Sequence, residues 1–204
     1  SASRRSPHSN GLTHEADMRF EPLPLAGAYR IELDRRGDDR GFFARMFCTQ
    51  EFADHGLNTV WAQMNTSFSQ QAGTLRGLHF QRPPCAEVKV VRCVRGAILD
   101  VIVDLRAGSP TFGQHAALEL NDDTRSMVYI PQGFAHGFQT LVPDTELLYL
   151  HSAAYSTAHE GGVHHADPAL GIVWPLPPSS LPASALSDRD RGFPPLNSVE
   201  PIRL

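Results

Sequence analysis

A chain of 204 residues, 41% hydrophobic and 20% charged, has the length and composition of an ordinary globular protein able to bury a substantial core. The formal net charge of -4 provides no basic field for a phosphate backbone, which excludes a general nucleic-acid binder. Three cysteines (Cys48, Cys85 and Cys93) are too few for a disulfide framework, and no apolar run reaches the ~18 residues of a membrane span, so a cytoplasmic protein is expected.

The opening SASRRSPHSNGLTHEAD, residues 1–17, is polar and aperiodic. It reads as a disordered leader or an expression remnant, with Met18 as a natural start of one domain over 18–204. From there the sequence predicts strands and turns almost throughout. YRIEL (29–33) alternates, DRRGDDRG (34–41) is a polar loop and FFARMF (42–47) reads as a further strand. QEFADHGL (50–57) has helical character, ended by Gly56.

GTLRGLHFQ (73–81) sets Arg76, His79 and Gln81 on one polar side against Leu75, Leu78 and Phe80, an arrangement suited to a strand lining a cleft. EVKVVRCVRGAILDVIVDLR (87–106) splits at Arg95-Gly96 into two strands, the second with Asp100, Ile102 and Asp104 on one face and Val101, Val103 and Leu105 on the other. AGSPTFG (107–113) is a turn, followed by strands in HAALEL, in SMVYIPQGFAHGFQTL (126–141, broken at Pro131-Gln132-Gly133) and in TELLYLHSAAY (145–155). The proline-dense WPLPPSSLPAS (174–184) cannot be a central strand, and SDRDR (187–191) predicts a short helix capped by Ser187. Many short strands with Gly/Pro turns and little helix indicate an all-β sandwich or barrel.

PQGFAHGF carries a P-x-G-x-x-H core, and Gly73-x5-His79 precedes it; together they resemble the two halves of the cupin jelly-roll signature. Where a metal cupin reads H-x-H, the second position is Gln81, a poor transition-metal ligand. That leaves only His79, His136 and Glu87, so no metal and no other cofactor is expected.

RGLHFQ, EVKVVRCVRGAILDVIVDLR, GSPTFG, YIPQGFAHGF, ELLY, ADPALGIVWP and LSDRDR then occur in the order of the blocks of the dTDP-4-dehydrorhamnose 3,5-epimerase family (the RmlC type), which the chain resembles from about Met18 to about Pro195. The resemblance implies a cupin-type jelly-roll β-barrel with a few short peripheral helices. It also implies metal-free inversion at C3 and C5 of a nucleotide-linked 4-keto-6-deoxyhexose. Both carbons flank the C4 ketone, so the chemistry needs a base, a stabiliser of the enolate oxygen and an acid on the opposite face. By the same resemblance His79 is the base, Asp167 of HHADPALG its carboxylate partner, Lys89 the enolate stabiliser and Tyr149 the acid. Arg76 would meet the diphosphate, and Arg40, Phe43, Gln63, Asn65, His136 and Tyr155 would bind substrate. A homodimer is implied, with an N-terminal strand exchanged and Phe43 or Arg40 reaching the partner's site.

Taken singly these residues have plainer readings. His79 could be a hydrogen-bonded structural histidine, Asp167-Pro168 a turn, Lys89 a solvent-facing strand residue and Tyr149 a core aromatic. The chain also departs from the family pattern. Arg45 stands where many members carry glutamate, Leu150 replaces a lysine, and His164-His165 stand where Lys-Trp is common, which leaves the nucleotide open. Two rival functions follow, a catalytically silent sugar-nucleotide-binding cupin and a metal-dependent cupin enzyme.

Overall fold

The computed structural model describes residues 18–204; the expected leader over 1–17 lies outside the described residues. In chain order the strands are β1 (Met18–Pro22), β2 (Tyr29–Leu33), β3 (Arg36–Asp38), β4 (Gly41–Phe43), β5 (Gln63–Ser69), β6 (Leu75–Gln81), β7 (Lys89–Arg95), β8 (Ala97–Asp104), β9 (His115–Asn121), β10 (Met127–Ile130), β11 (Phe134–Thr140), β12 (Thr145–His151) and β13 (Glu160–Gly162). Two short α-helices, α1 (Thr49–Asp54) and α2 (Asp188–Arg191), sit at the periphery. The first sheet runs β1-β2-β10-β7-β12-β5, the second β13-β6-β11-β8-β9, and β3-β4 is a separate hairpin. Neighbours in the sheets pair antiparallel, and the two sheets face each other as a cupin-type jelly roll.

Period-2 alternation decides what each face buries. Between the sheets Val91, Cys93, Val128, Ile130 and Leu147 meet Ile98, Ile102, Leu120, Phe134 and Phe138. The outer face of the second sheet carries Val101, Val103, Leu75 and Leu78 and is covered by Leu170, Trp174, Val199 and Ile202 of the C-terminal segment. The outer face of the first sheet packs Ile31, Val90, Met127 and Tyr129 against Phe52 of α1. Each fully buried Leu, Ile or Phe contributes roughly 1.5–3 kcal/mol, so both predicted faces of β8 are buried for the same reason.

Three expectations shift. DRRGDDRG, expected as a loop, forms β3 and the start of β4, which pair as a hairpin. FFARMF forms strand only at Gly41–Phe43; Ala44, Met46 and Phe47 instead pack on the outer cluster around Phe52. TELLYLHSAAY ends as strand at His151; Ser152 still faces Val88, its N–H donating to the Val88 carbonyl at 3.0 Å and its hydroxyl accepting from the Val88 N–H at 2.7 Å.

The pairing of β6 with β11 is irregular, and this matters for the site. His136 lies opposite His79 and Phe138 opposite Arg76, so between these pairs Gly77 and Leu78 of β6 face the single Gly137 of β11. The extra residue brings Arg76 and His79, three apart in sequence, onto one face. The backbones close up there: a Cβ on Gly77, which has φ +113°, would lie 2.7 Å from the Gly137 Cα, and one on Gly137 would lie 2.6 Å from the Arg76 carbonyl oxygen.

Candidate active site

The inward-facing residues are apolar at one end of the barrel and polar at the other. The polar end holds a cavity of about 330 Å³. β6 contributes Arg76 and His79, β7 contributes Lys89, β11 His136, β12 Tyr149 and His151, and β5 Gln63, Asn65 and Ser67. Tyr155, Glu160 and Arg189 rim it.

His79 Nε2 is 2.8 Å from Asp190 Oδ1, an oxygen of a carboxylate that is almost fully buried. The other oxygen of Asp190 accepts the Gly77 N–H at 2.9 Å. Burial works against the Asp190 charge, but His79, the Gly77 N–H and Arg189 outweigh it and hold the carboxyl far below the usual aspartate range. With Nε2 engaged, the other ring nitrogen is left for the cavity. Arg189 Nη2 also lies 3.1 Å from His79 Nε2, which cannot donate to Asp190 and accept from Arg189 at once. The buried carboxylate decides for donation. Arg189 has other acceptors in Glu160 Oε1 at 2.8 Å and Asp190 Oδ1 at 3.2 Å.

The expected carboxylate partner is therefore corrected: it is Asp190, not Asp167. The Asp167 oxygens accept the backbone N–H groups of Ala169 at 2.9 Å and Leu196 at 2.6 Å, which makes it the turn-forming residue of the plainer reading. Asp190 is fixed by the predicted cap. Ser187 Oγ accepts from the Asp190 N–H at 3.1 Å, and this single turn of helix lies against β6. The signal was present in SDRDR, but nothing in its spacing ties it to a histidine more than a hundred positions earlier.

The opposite wall belongs to the six-stranded sheet. Tyr149 OH is 2.8 Å from Ser67 Oγ, and burial pushes its hydroxyl well above the ordinary phenol range, so it is a neutral proton donor at neutral pH. Lys89 Nζ lies 3.1 Å from Glu87 Oε1, while Glu87 Oε2 accepts from His151 Nδ1 at 2.9 Å. His136 Nε2 is 2.7 Å from Asp100 Oδ2. Asp100 Oδ1 has no hydrogen-bond partner among the described residues. Gln81 lines the cavity as a buried amide, donating to the carbonyls of Cys85 and Ala154 and accepting the Ser156 N–H at 2.6 Å, which anchors the loop bearing Tyr155. Tyr155 donates to Glu160 Oε2 at 2.8 Å, and its N–H reaches Gln63 Oε1 at 3.0 Å. Among the described residues no three His, Cys, Asp or Glu side chains gather as metal ligands. Arg40 and Phe43 stand apart on the β3–β4 hairpin, where Arg40 pairs with Asp38 and Phe43 is 74% exposed. They do not line the cavity of their own chain. Arg45 pairs with Glu51 at 2.8 Å.

The family model described as dTDP-4-dehydrorhamnose 3,5-epimerase matches residues 22–198, nearly the whole of the described chain. The chain belongs to the dTDP-4-dehydrorhamnose 3,5-epimerase family. It is 41% identical over 186 residues to the dTDP-4-dehydrorhamnose 3,5-epimerase of Sinorhizobium fredii, covering 91% of this chain and 93% of that one. It is also 41% identical over 185 residues to the dTDP-4-dehydrorhamnose 3-epimerase of Streptomyces niveus, covering 87% and 89%. The crystal structure of dTDP-6-deoxy-D-glucose-3,5-epimerase from Legionella pneumophila Philadelphia 1, in complex with dTDP-4-keto-L-rhamnose, superimposes with a TM-score of 0.84 at 34% identity, covering 92% and 98%. A nucleotide-sugar epimerase of this family needs opposed proton donors and acceptors, and His79 and Tyr149 stand on opposite sheets.

Proposed function

We propose that the protein inverts C3, C5 or both of a nucleotide-diphosphate 4-keto-6-deoxyhexose, without a metal, by proton abstraction and reprotonation through an enolate. The observation that carries this reading is the opposition of the His79–Asp190 pair on the five-stranded sheet and Tyr149 on the six-stranded sheet. The cavity-facing nitrogen of His79 takes the proton next to the C4 ketone, and Asp190 stabilises the imidazolium that forms. The electron pair moves to the C4 oxygen, where Lys89 supplies positive charge. The Tyr149 hydroxyl gives its proton to the other face of the same carbon, Ser67 supporting the oxygen. Inversion follows from donor and acceptor lying on opposite walls.

Arg76 and Arg189 at the rim serve the diphosphate, Gln63, Asn65 and Tyr155 the nucleotide, and His136 the sugar. Two copies form a homodimer in which the β3–β4 hairpin carries Arg40 and Phe43 to the partner's cavity, consistent with the exposure of Phe42 and Phe43. No described helix is long and apolar enough to cross a membrane, and all three cysteines are free, which suits a cytoplasmic step supplying a deoxysugar to a polysaccharide or a glycosylated product. The test is conversion of dTDP-4-keto-6-deoxyglucose, run beside the CDP, UDP and GDP sugars because Arg45 replaces a family glutamate. Turnover of at least one supports the reading; tight binding of all with turnover of none makes the protein a silent binder. Gel filtration should give about twice 22.4 kDa, and a monomer contradicts the exchange.

A further inference from the structure

Besides His79–Asp190 and His136–Asp100, the cavity contains a third imidazole–carboxylate pair, which the reaction above leaves unused. His151 follows Tyr149 by two residues on β12, so both side chains project from the same face into the cavity. Their rings stack at 5.9 Å between centroids and 28° between planes. His151 Nδ1 is 2.9 Å from Glu87 Oε2, and Glu87 Oε1 is 3.1 Å from Lys89 Nζ. Burial works against the Glu87 charge, yet His151 and Lys89 together hold its carboxyl below the ordinary glutamate range, so Glu87 is an anion at neutral pH. An anionic carboxylate on Nδ1 fixes that nitrogen as the donor and leaves Nε2 as the proton-exchanging atom.

The chemistry creates a need for such a group. Each inversion leaves a proton on His79 and removes one from Tyr149, and these lie on opposite walls of the cavity. The phenolate, on a side chain that is partly buried, must regain its proton before a second carbon or a second substrate can be processed. We propose that His151, held by Glu87, recharges Tyr149 between proton transfers. As a C–H bond forms on the sugar, the Tyr149 O–H bond breaks. The phenolate then takes the Nε2 proton of His151 through one intervening water, and neutral His151 takes a proton from solvent at the cavity mouth. His151 does not touch the reacting carbon and acts only through Tyr149.

The inference rests on Tyr149 being the acid, so the experiment separates the two claims. The protein and its H151A and E87Q variants are mixed with dTDP-4-keto-6-deoxyglucose in D2O and quenched at intervals; inverted sugar per site is counted by NMR beside total deuterium by mass spectrometry, because exchange from the His79 side alone adds deuterium without drawing on Tyr149. For His151→Ala the expectation is a burst of about one inversion per site, then a linear phase of inversion slowed at least about tenfold and restored by added imidazole. Glu87→Gln slows the linear phase in the same direction. A linear phase unchanged in H151A while the unaltered protein exchanges overturns the recharging role alone. Burst and linear phase falling together, with no rescue by imidazole, overturn it too, because His151 then only shapes the cavity. No deuterium in the unaltered protein overturns the epimerase reading and this proposal with it.

Discussion

Replacing Asp190 by asparagine keeps the side chain's shape and turns one of its two acceptors into a donor. Both acceptors are in use, Oδ1 toward His79 Nε2 and Oδ2 toward the Gly77 N–H. If the amide oxygen stays on Gly77, the NH2 faces Nε2 and makes it an acceptor. The imidazole proton then moves to the cavity-facing nitrogen, which can no longer take one from substrate. If the amide turns round, the Gly77 N–H meets a donor and is left unpaired in a buried site. Either arrangement costs about 1–3 kcal/mol, and loss of the charge-assisted bond to the imidazolium costs about 1.5–3 kcal/mol more. Together these predict kcat lower by roughly 10²–10⁴-fold, since each 1.36 kcal/mol is about tenfold. The same substitution has a pH signature. The folded-state pKa of Asp190 is depressed, so its stabilising contribution is full above the unfolded value of about 3.9 and is lost as pH falls through the folded value. Urea unfolding should show the variant less stable at pH 7, with a gap that narrows below about pH 4. Activity within about threefold of the unaltered protein, or a stability gap that does not change with pH, would refute this reasoning.

Tyr149→Phe removes the acid and leaves the base, so deuterium should still enter from the His79 side while net inversion falls at least about 10²-fold, as NMR of the product configuration would report. Equal loss of exchange and inversion would count against opposed walls. Asp167→Ala should cost about 1–2 kcal/mol in denaturant unfolding, from one turn hydrogen bond to Ala169 and one long-range bond to Leu196, with kcat within about twofold; a large fall in kcat would return Asp167 to the chemistry. Gly137→Ala drives a Cβ to 2.6 Å from the Arg76 carbonyl oxygen and should destabilise by about 1–3 kcal/mol or more, and an unchanged melting temperature would show that β6 and β11 can part there.

What the sequence reveals depends on the range of the interaction. Alternation in YRIEL, AILDVIVD and HAALEL marks strands because each side chain's face is set by its immediate neighbours. Gly56 and Ser187 mark helix ends for the same local reason. The sharing of a face by Arg76 and His79 is legible as composition but not as mechanism, since simple alternation would separate residues three apart. Only the bulge that sets Gly77 and Leu78 against Gly137 of β11 restores it. The exchange of Asp167 for Asp190 is instructive. Both sit in loop-like C-terminal sequence, and which carboxylate meets His79 depends on how that segment folds back over β6, which no local pattern encodes. The Glu87–His151 pair joins residues 64 apart through strand register, so neither residue alone predicts the other.

The central claim is that His79 removes a proton next to the C4 ketone. The direct measurement is proton NMR of dTDP-4-keto-6-deoxyglucose in D2O, following the signals of protons 3 and 5 with the unaltered protein and with His79→Ala. The account predicts loss of one or both signals with the unaltered protein, slowed at least about 10²-fold by the substitution. Exchange that continues at the same rate in His79→Ala would contradict it.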